Sequence, residues 1–274
     1  MSRVQIPSFS ILKIFMMFYN NPLEQFEILP LFDVLPNFVN RIYGFTITNE
    51  TVIGAFALAF LFLFFKNSFK QSDSTLFIVP HRWQVIVEMM YKMILAMVRD
   101  NIAGDKGQFF FPLILSLFIF IVTLNLIGLI PYSFTLTSHI VVTFSLSIAI
   151  FIGINTISIR LHGSNFFSLF FPESTSLLLG FLLVPVELMS YFFRPISLGI
   201  RLFANMMAGH TLLKVFAGFA WTLMGSNGIL FFFHILPLVI LYPLFGLEFG
   251  VAIIQAFVFS VLTCIYLNDA INLH

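Results

Sequence analysis

Five stretches of the chain are apolar enough and long enough to cross a lipid bilayer. A membrane helix needs about 20 mostly apolar residues for a hydrocarbon core of about 30 Å. Residues 51–66 form a short first span, 109–131 a second and 140–159 a third. Two much longer apolar stretches follow, 175–220 and 226–267. At about 1.5 Å per residue each reaches roughly 60 Å, twice the bilayer, so each is either two spans or one strongly tilted helix. Pro185, Pro195, Pro237 and Pro243 offer break points, but no charged loop interrupts either stretch. One long tilted helix each is therefore expected, the two joined as a hairpin by the Gly-Ser-Asn-Gly turn from Gly225 to Gly228.

Between the first two spans, residues 83–103 place apolar side chains at helical spacing, with Arg82, Glu88, Lys92, Arg99 and Asp100 interspersed. That pattern suits an amphipathic helix lying in the interface better than a span. Orientation follows from basic residues, which stay on the inner side. Lys66, Lys70, Arg82, Lys92, Arg99 and Lys106 fall in the 66–108 connection and Arg160 in the next one on that side, whereas 132–139 and 219–227 hold no Lys or Arg. Five spans then put the N-terminus, with segment 1–50, outside and the C-terminus inside. No cleavable signal peptide is evident: the short apolar patch from Ile11 to Tyr19 is broken by Lys13 and lacks a small-residue cleavage site.

Composition strengthens this picture of an all-α integral membrane protein with about five membrane helices and one interfacial helix. Only 9% of the 274 residues are charged and 59% are hydrophobic, against about 25% charged in soluble domains. A net charge of +1 argues against nucleic acid, whose recognition needs a basic face. The single cysteine, Cys264, allows no disulfide within the chain and reads as a small packed hydrophobe.

Against this apolar background the few polar residues stand out, since a charge inside a membrane helix is expensive and therefore a functional candidate. In 175–220, Glu187, Ser190, Arg194, Ser197, Arg201 and Asn205 follow one another at spacings of 3, 4, 3, 4 and 4, which at about 100° per residue form one continuous stripe. In 226–267, Glu248, Gln255 and Tyr266 fall within about 20° of one line, with Asp269 about 60° off it. Antiparallel packing brings the stripes together: Gln255 becomes a neighbour for Arg201, Glu248 and His210 share the outer half, and Glu187 and Asp269 lie in the inner half. Carboxylates and imidazole exchange protons when burial and neighbours tune them. Arginine stays charged throughout. Arg201 therefore reads as a fixed barrier between two half-pathways. For Arg194 a structural, snorkelling role weighs as much as a functional one, and His234, amid Phe and Leu, reads as structural. His81, His139, His162 and His274 show no metal-ligand spacing, and no metal or cofactor is expected.

Four segments carry a family resemblance. SLGIRLFANMMAGHTLLKV (Ser197 to Val215) and LEFGVAIIQAFVFSVLTCIYLNDA (Leu247 to Ala270) resemble the signature and final helix of subunit a of the F-type ATP synthases. NPLEQFEI at 21–28 and NLIGLIPYSFTLTSH at 125–139 match as well. The likeness is nearest to mitochondrial versions of plants and algae, and it is loose over 221–246. It implies that Arg201 is the essential arginine facing a proton-carrying carboxylate on a rotating ring of small helical-hairpin c subunits, with Asn205 and Gln255 beside it. It implies that His210 and Glu248 line the half-channel open to the intermembrane space, and Glu187 and Asp269 the one open to the matrix. Asn125 matches a polar position of the family, and Ser190, Arg194, Ser197 and Tyr266 complete the supporting stripe. The implied setting is the mitochondrial inner membrane, beside other membrane-sector and peripheral-stalk subunits, with the N-terminus in the intermembrane space and the C-terminus in the matrix.

Two other function classes compete. A stand-alone proton-coupled transporter or ion channel commonly shows internal repeats with paired broken helices, and no repeat is found. A haem- or quinone-binding respiratory subunit wants paired histidines on facing spans, and the histidines are scattered. No phosphate-cradling Gly-rich loop is present, so nucleotide chemistry lies outside this chain.

Overall fold

The computed structural model describes residues 23–33, 46–68, 82–102, 106–130, 133–163, 166, 177–225 and 232–272. The patch around Ile11, Lys70, His81, His274 and the turn beyond Gly225 lie outside them. Among the described residues the chain is helical almost throughout. Six α-helices follow in order: α1 (Asn49–Ser68), α2 (Arg82–Asn101), α3 (Lys106–Gly128), α4 (Ile140–His162), α5 (Leu177–Met224) and α6 (Ile235–Ile271). A two-stranded antiparallel hairpin, β1 (Pro30–Asp33) with β2 (Thr46–Thr48), precedes them. Asn49 ties that hairpin to α1. Its side-chain oxygen accepts from the Leu29 and Glu50 amides, and its amide group donates to the Glu27 carbonyl.

All helices but α2 are long and apolar enough to cross a membrane. The long stretches do not break. α5 continues through Pro185 and Pro195, and α6 through Pro243; each interior proline removes one backbone bond and kinks a helix without necessarily ending it. Pro237 sits in the first turn of α6, where a missing N–H is tolerated. At about 1.5 Å per residue, α5 extends roughly 72 Å and α6 roughly 56 Å. Both exceed the hydrocarbon thickness, so both must run strongly inclined to the membrane normal.

α2 is amphipathic. It buries Ile94, Met97 and Val98 against α3 and α6 and leaves Glu88 and Lys92 paired at 2.8 Å on its exposed side. α1 is apolar on nearly every face, buries Ala57 and exposes Phe56, Phe60 and Phe62, as a helix surrounded by lipid does. The main core forms where Ile114, Phe118 and Ile121 of α3 meet Phe259, Cys264 and Leu267 of α6 and Leu198 and Leu202 of α5. Cys264 is fully buried there.

Two features fix how α5 lies against its neighbours. At Gly199 a Cβ would stand 2.8 Å from Ser147 Oγ and 3.2 Å from the Thr143 carbonyl oxygen of α4. Only a glycine lets the two helices approach so closely. The connection from α3 to α4 folds back into the molecule as a buried 3-10 turn, Leu136–Ser138, which packs on α1, α3, α4 and α5.

Candidate functional site

α5 and α6 pack together along much of their length, and the polar residues separate into three groups along them. Near the end of α6, Arg194 Nη1 donates to Asp269 Oδ2 at 3.2 Å. The same guanidinium lies over the rings of Tyr191 and Tyr266, 5.5 and 5.2 Å from their centroids. The Tyr191 hydroxyl donates to Asn155 Oδ1 of α4. This group surrounds a cavity of about 20 Å³, also lined by Ser147 and Ser158, which is room for about one water molecule. Arg194 thus does more than snorkel: one guanidinium braces α5 to α6 through a carboxylate and two rings.

About 13 Å along α5 from Arg201, measured at 1.5 Å per residue, stands the second group. His210 Nδ1 lies 3.5 Å from Glu248 Oε1, with both side chains largely shielded. The contact lacks hydrogen-bond geometry, and neither Glu248 oxygen has a hydrogen-bond partner among the described residues. Gly209 makes the arrangement possible, because a Cβ there would meet Glu248 Oε1 at 2.7 Å. On an ideal wheel His210 faces away from the Arg201 stripe. The close crossing at Gly209 brings α6 to that other flank. Asn125 of α3 is buried and donates from Nδ2 to the Ala252 carbonyl at 3.1 Å, one turn past Glu248 on α6.

Arg201 lies between the two groups, and it is different from both. It is exposed, and no ion pair or hydrogen bond joins it to any of the described residues. Ala204 and Ala208 are exposed beside it, so small side chains flank the guanidinium. Asn205 on α5 and Gln255 on α6 are half-buried, and no hydrogen bond links Gln255 to Arg201. Ser190 and Ser197 are exposed and Glu187 is half-buried. The stripe therefore runs along the edge of the buried face of α5 rather than within it.

Sequence reasoning passed over several residues that the fold makes important. Tyr191 and Asn155 carry no helical pattern in an otherwise apolar context. His162 of α4 approaches the Ala270 and Ile271 carbonyls at 3.2 Å and so closes the C-terminus of α6. Gly209 had one signal available, a small residue directly beside a polar one. Among the described residues no three His, Cys, Asp or Glu side chains converge as a metal site requires.

Comparison with known proteins bears on the whole arrangement. The family described as ATP synthase A chain matches residues 49–268. The chain is 47% identical over 254 residues to ATP synthase subunit a of Chondrus crispus, covering 93% of this chain and 97% of the relative. It is 48% identical over 256 residues to that of Pylaiella littoralis (93% and 100%) and 49% identical over 258 residues to that of Brassica napus (93% and 97%).

Proposed function

The chain belongs to the ATP synthase A chain family, and from that premise we propose that Arg201 is the fixed barrier between two proton half-channels. The chain is a proton-translocating stator subunit of the membrane sector of ATP synthase. It works within a multi-subunit complex as a multi-pass protein of the mitochondrial inner membrane. The partner facing Arg201 is a ring of small helical-hairpin c subunits, each bringing a carboxylate at membrane depth. Other membrane-sector and peripheral-stalk subunits cover further faces. The N-terminus lies in the intermembrane space and the C-terminus in the matrix, following the basic residues of the inner connections.

The observation that carries this reading is the bare guanidinium. An exposed, unpaired charge on an apolar helix is costly in a bilayer and calls for a counter-ion from outside the chain. A carboxylate passing on a rotor supplies one transiently. Arg201 cannot release its proton, so a proton cannot cross at that point except by riding on the moving carboxylate. His210 and Glu248 deliver protons from the outer side to one flank of the barrier. Glu187 and Asp269 serve the matrix side, with Asp269 held in place by Arg194. Asn205 and Gln255 are polar neighbours that shape the contact between Arg201 and the rotor.

Arg201→Lys tests the barrier, because a compact ammonium cannot reproduce the planar fork that engages a carboxylate at two points. Coupled proton transport in sealed membrane vesicles should be lost. ATP synthesis at the normal rate in this variant would refute the assignment.

A further inference from the structure

Away from the polar groups of α5, a groove of about 780 Å³ lies between α1, α3 and α4, with Thr263 and Leu267 of α6 behind it. Its wall carries two hydroxyls, and both are already used. Ser116 donates to the Leu113 carbonyl and Thr263 to the Phe259 carbonyl, each within its own helix. No side chain of the wall is thus left to hold a polar ligand. α4 supplies a floor of small residues, Ala149 and Gly153 one turn apart, and a Cβ at Gly153 would meet nothing within 4 Å. Along α3 the wall runs from Phe110 to Phe120, about 15 Å. A helix about 10 Å across displaces about 1,200 Å³ over that length, more than the groove holds. Acyl chains are slimmer and flexible, and a wall of Phe, Leu and Ile suits them.

One end of the groove is basic. Lys66 follows Phe65 of the wall, and Arg160 comes one turn after Ile157. Both are exposed, in the last turns of α1 and α4. α3 starts at the same end, at Lys106, with no acid in its first turn, so its free amides add positive potential there. Trp83 of α2 meets the Phe64 ring of α1 edge-on, centroids 6.1 Å apart, as an aromatic residue does at head-group depth. The nearby acid of α2, Glu88, is already paired with Lys92.

We propose that this groove is a site for an anionic phospholipid, its acyl chains laid along Ala149 and Gly153 and its phosphate held at the basic end by Lys66 and Arg160. Basic pockets between membrane helices bind anionic head groups in this way. The lipid fills the space that keeps α1 apart from α4 and so joins α1 to the bundle. The site is independent of the Arg201 barrier. If Lys66 and Arg160 serve only as cations at helix C-termini, the groove takes any acyl chain without regard to head group.

Photolabelling of the complete complex in phosphatidylcholine vesicles distinguishes the two. The vesicles carry a trace of either phosphatidylglycerol or phosphatidylcholine with a photoactivatable group on one acyl chain, and labelled peptides of this chain are mapped by mass spectrometry. Residues 113–120 and 146–157 should take the anionic probe about fivefold more than the choline probe, the factor that one cation gives at a membrane surface. Lys66→Gln with Arg160→Gln should bring the two probes level; if that pair does not assemble, Lys66→Gln alone should narrow the gap. Gly153→Leu, which fills the floor, should lower the label from both. Absence of label on both segments means that a helix of another subunit occupies the groove, and overturns the site. Equal labelling by the two probes in wild type overturns it too, as does a preference that survives loss of the cations. Label undiminished in Gly153→Leu places the chains elsewhere and has the same force.

Discussion

Gly209→Ala adds one methyl group to α5 and touches none of the ionisable side chains by its own chemistry. The added Cβ would lie 2.7 Å from Glu248 Oε1 and 3.0 Å from its Cδ, where ordinary contact begins at 3.4 Å. The carboxylate must therefore retreat by about 0.7 Å or α6 must separate from α5. Overpacking of this kind costs about 1–3 kcal/mol, offset by the gain of up to about 1 kcal/mol that alanine brings to a helix interior. A residual of about 1–2 kcal/mol reduces the fraction of molecules with Glu248 beside His210 by a factor of about 5–30. ATP-driven proton uptake by sealed inverted vesicles, normalised to assembled complex, should fall by that factor. Gly153→Ala, where a Cβ meets nothing within 4 Å, should leave it unchanged. Glu248→Asp in the Gly209→Ala background should recover part of the loss, since the shorter acid withdraws from the methyl. Uptake within about twofold of wild type, less than 0.5 kcal/mol, would refute the placement of Glu248 against the α5 backbone.

Exchanging His210 and Glu248 should preserve more proton flux than removing both, because the pair meets across one crossing; equal losses would count against a shared path. Arg194→Ala should shorten the thermal half-life of the assembled complex more than Asp269→Asn does. It removes two ring contacts of about 0.5–2 kcal/mol each along with the ion pair, whereas asparagine keeps an acceptor oxygen; the opposite order would dismiss the ring contacts as bracing. His162→Ala should release the end of α6 at a cost of about 1 kcal/mol, visible as faster amide hydrogen exchange over residues 268–272. Unchanged exchange would mean that the helix end is held by other contacts.

Much of the architecture was legible because membrane physics leaves few options. Charge-poor runs of sufficient length must be spans, and the absence of charge within 175–220 and 226–267 argued for two unbroken helices despite their prolines. Periodicity also put Arg201, Asn205 and Arg194 on one flank of α5. Periodicity along one helix says nothing, however, about register across two. Arg194 rather than Arg201 meets a side chain of α6, because the crossing of these two helices is set by Gly209 and by the bulk of Tyr191 and Tyr266. The burial of the Leu136–Ser138 turn gave no sign for a similar reason: a loop that folds inward has no periodic signature, and part of its cover comes from α1 and α5, distant in sequence. Asn155 gave no sign because its partner, Tyr191, lies on another helix.

The inclination of α5 has a consequence for direction. A largely apolar stretch of 45 residues, roughly 68 Å long, fits a 30 Å hydrocarbon core when tilted by about 64° from the normal. At that tilt, the nine residues from Arg201 to His210 advance about 12 Å sideways and only about 6 Å along the membrane normal. Sequence distance along this helix is thus converted mainly into distance around the circumference of whatever turns beside it. The helix acts as a ramp laid nearly flat, and on the half-channel reading proposed above a proton travels tangentially between the entry and exit sides.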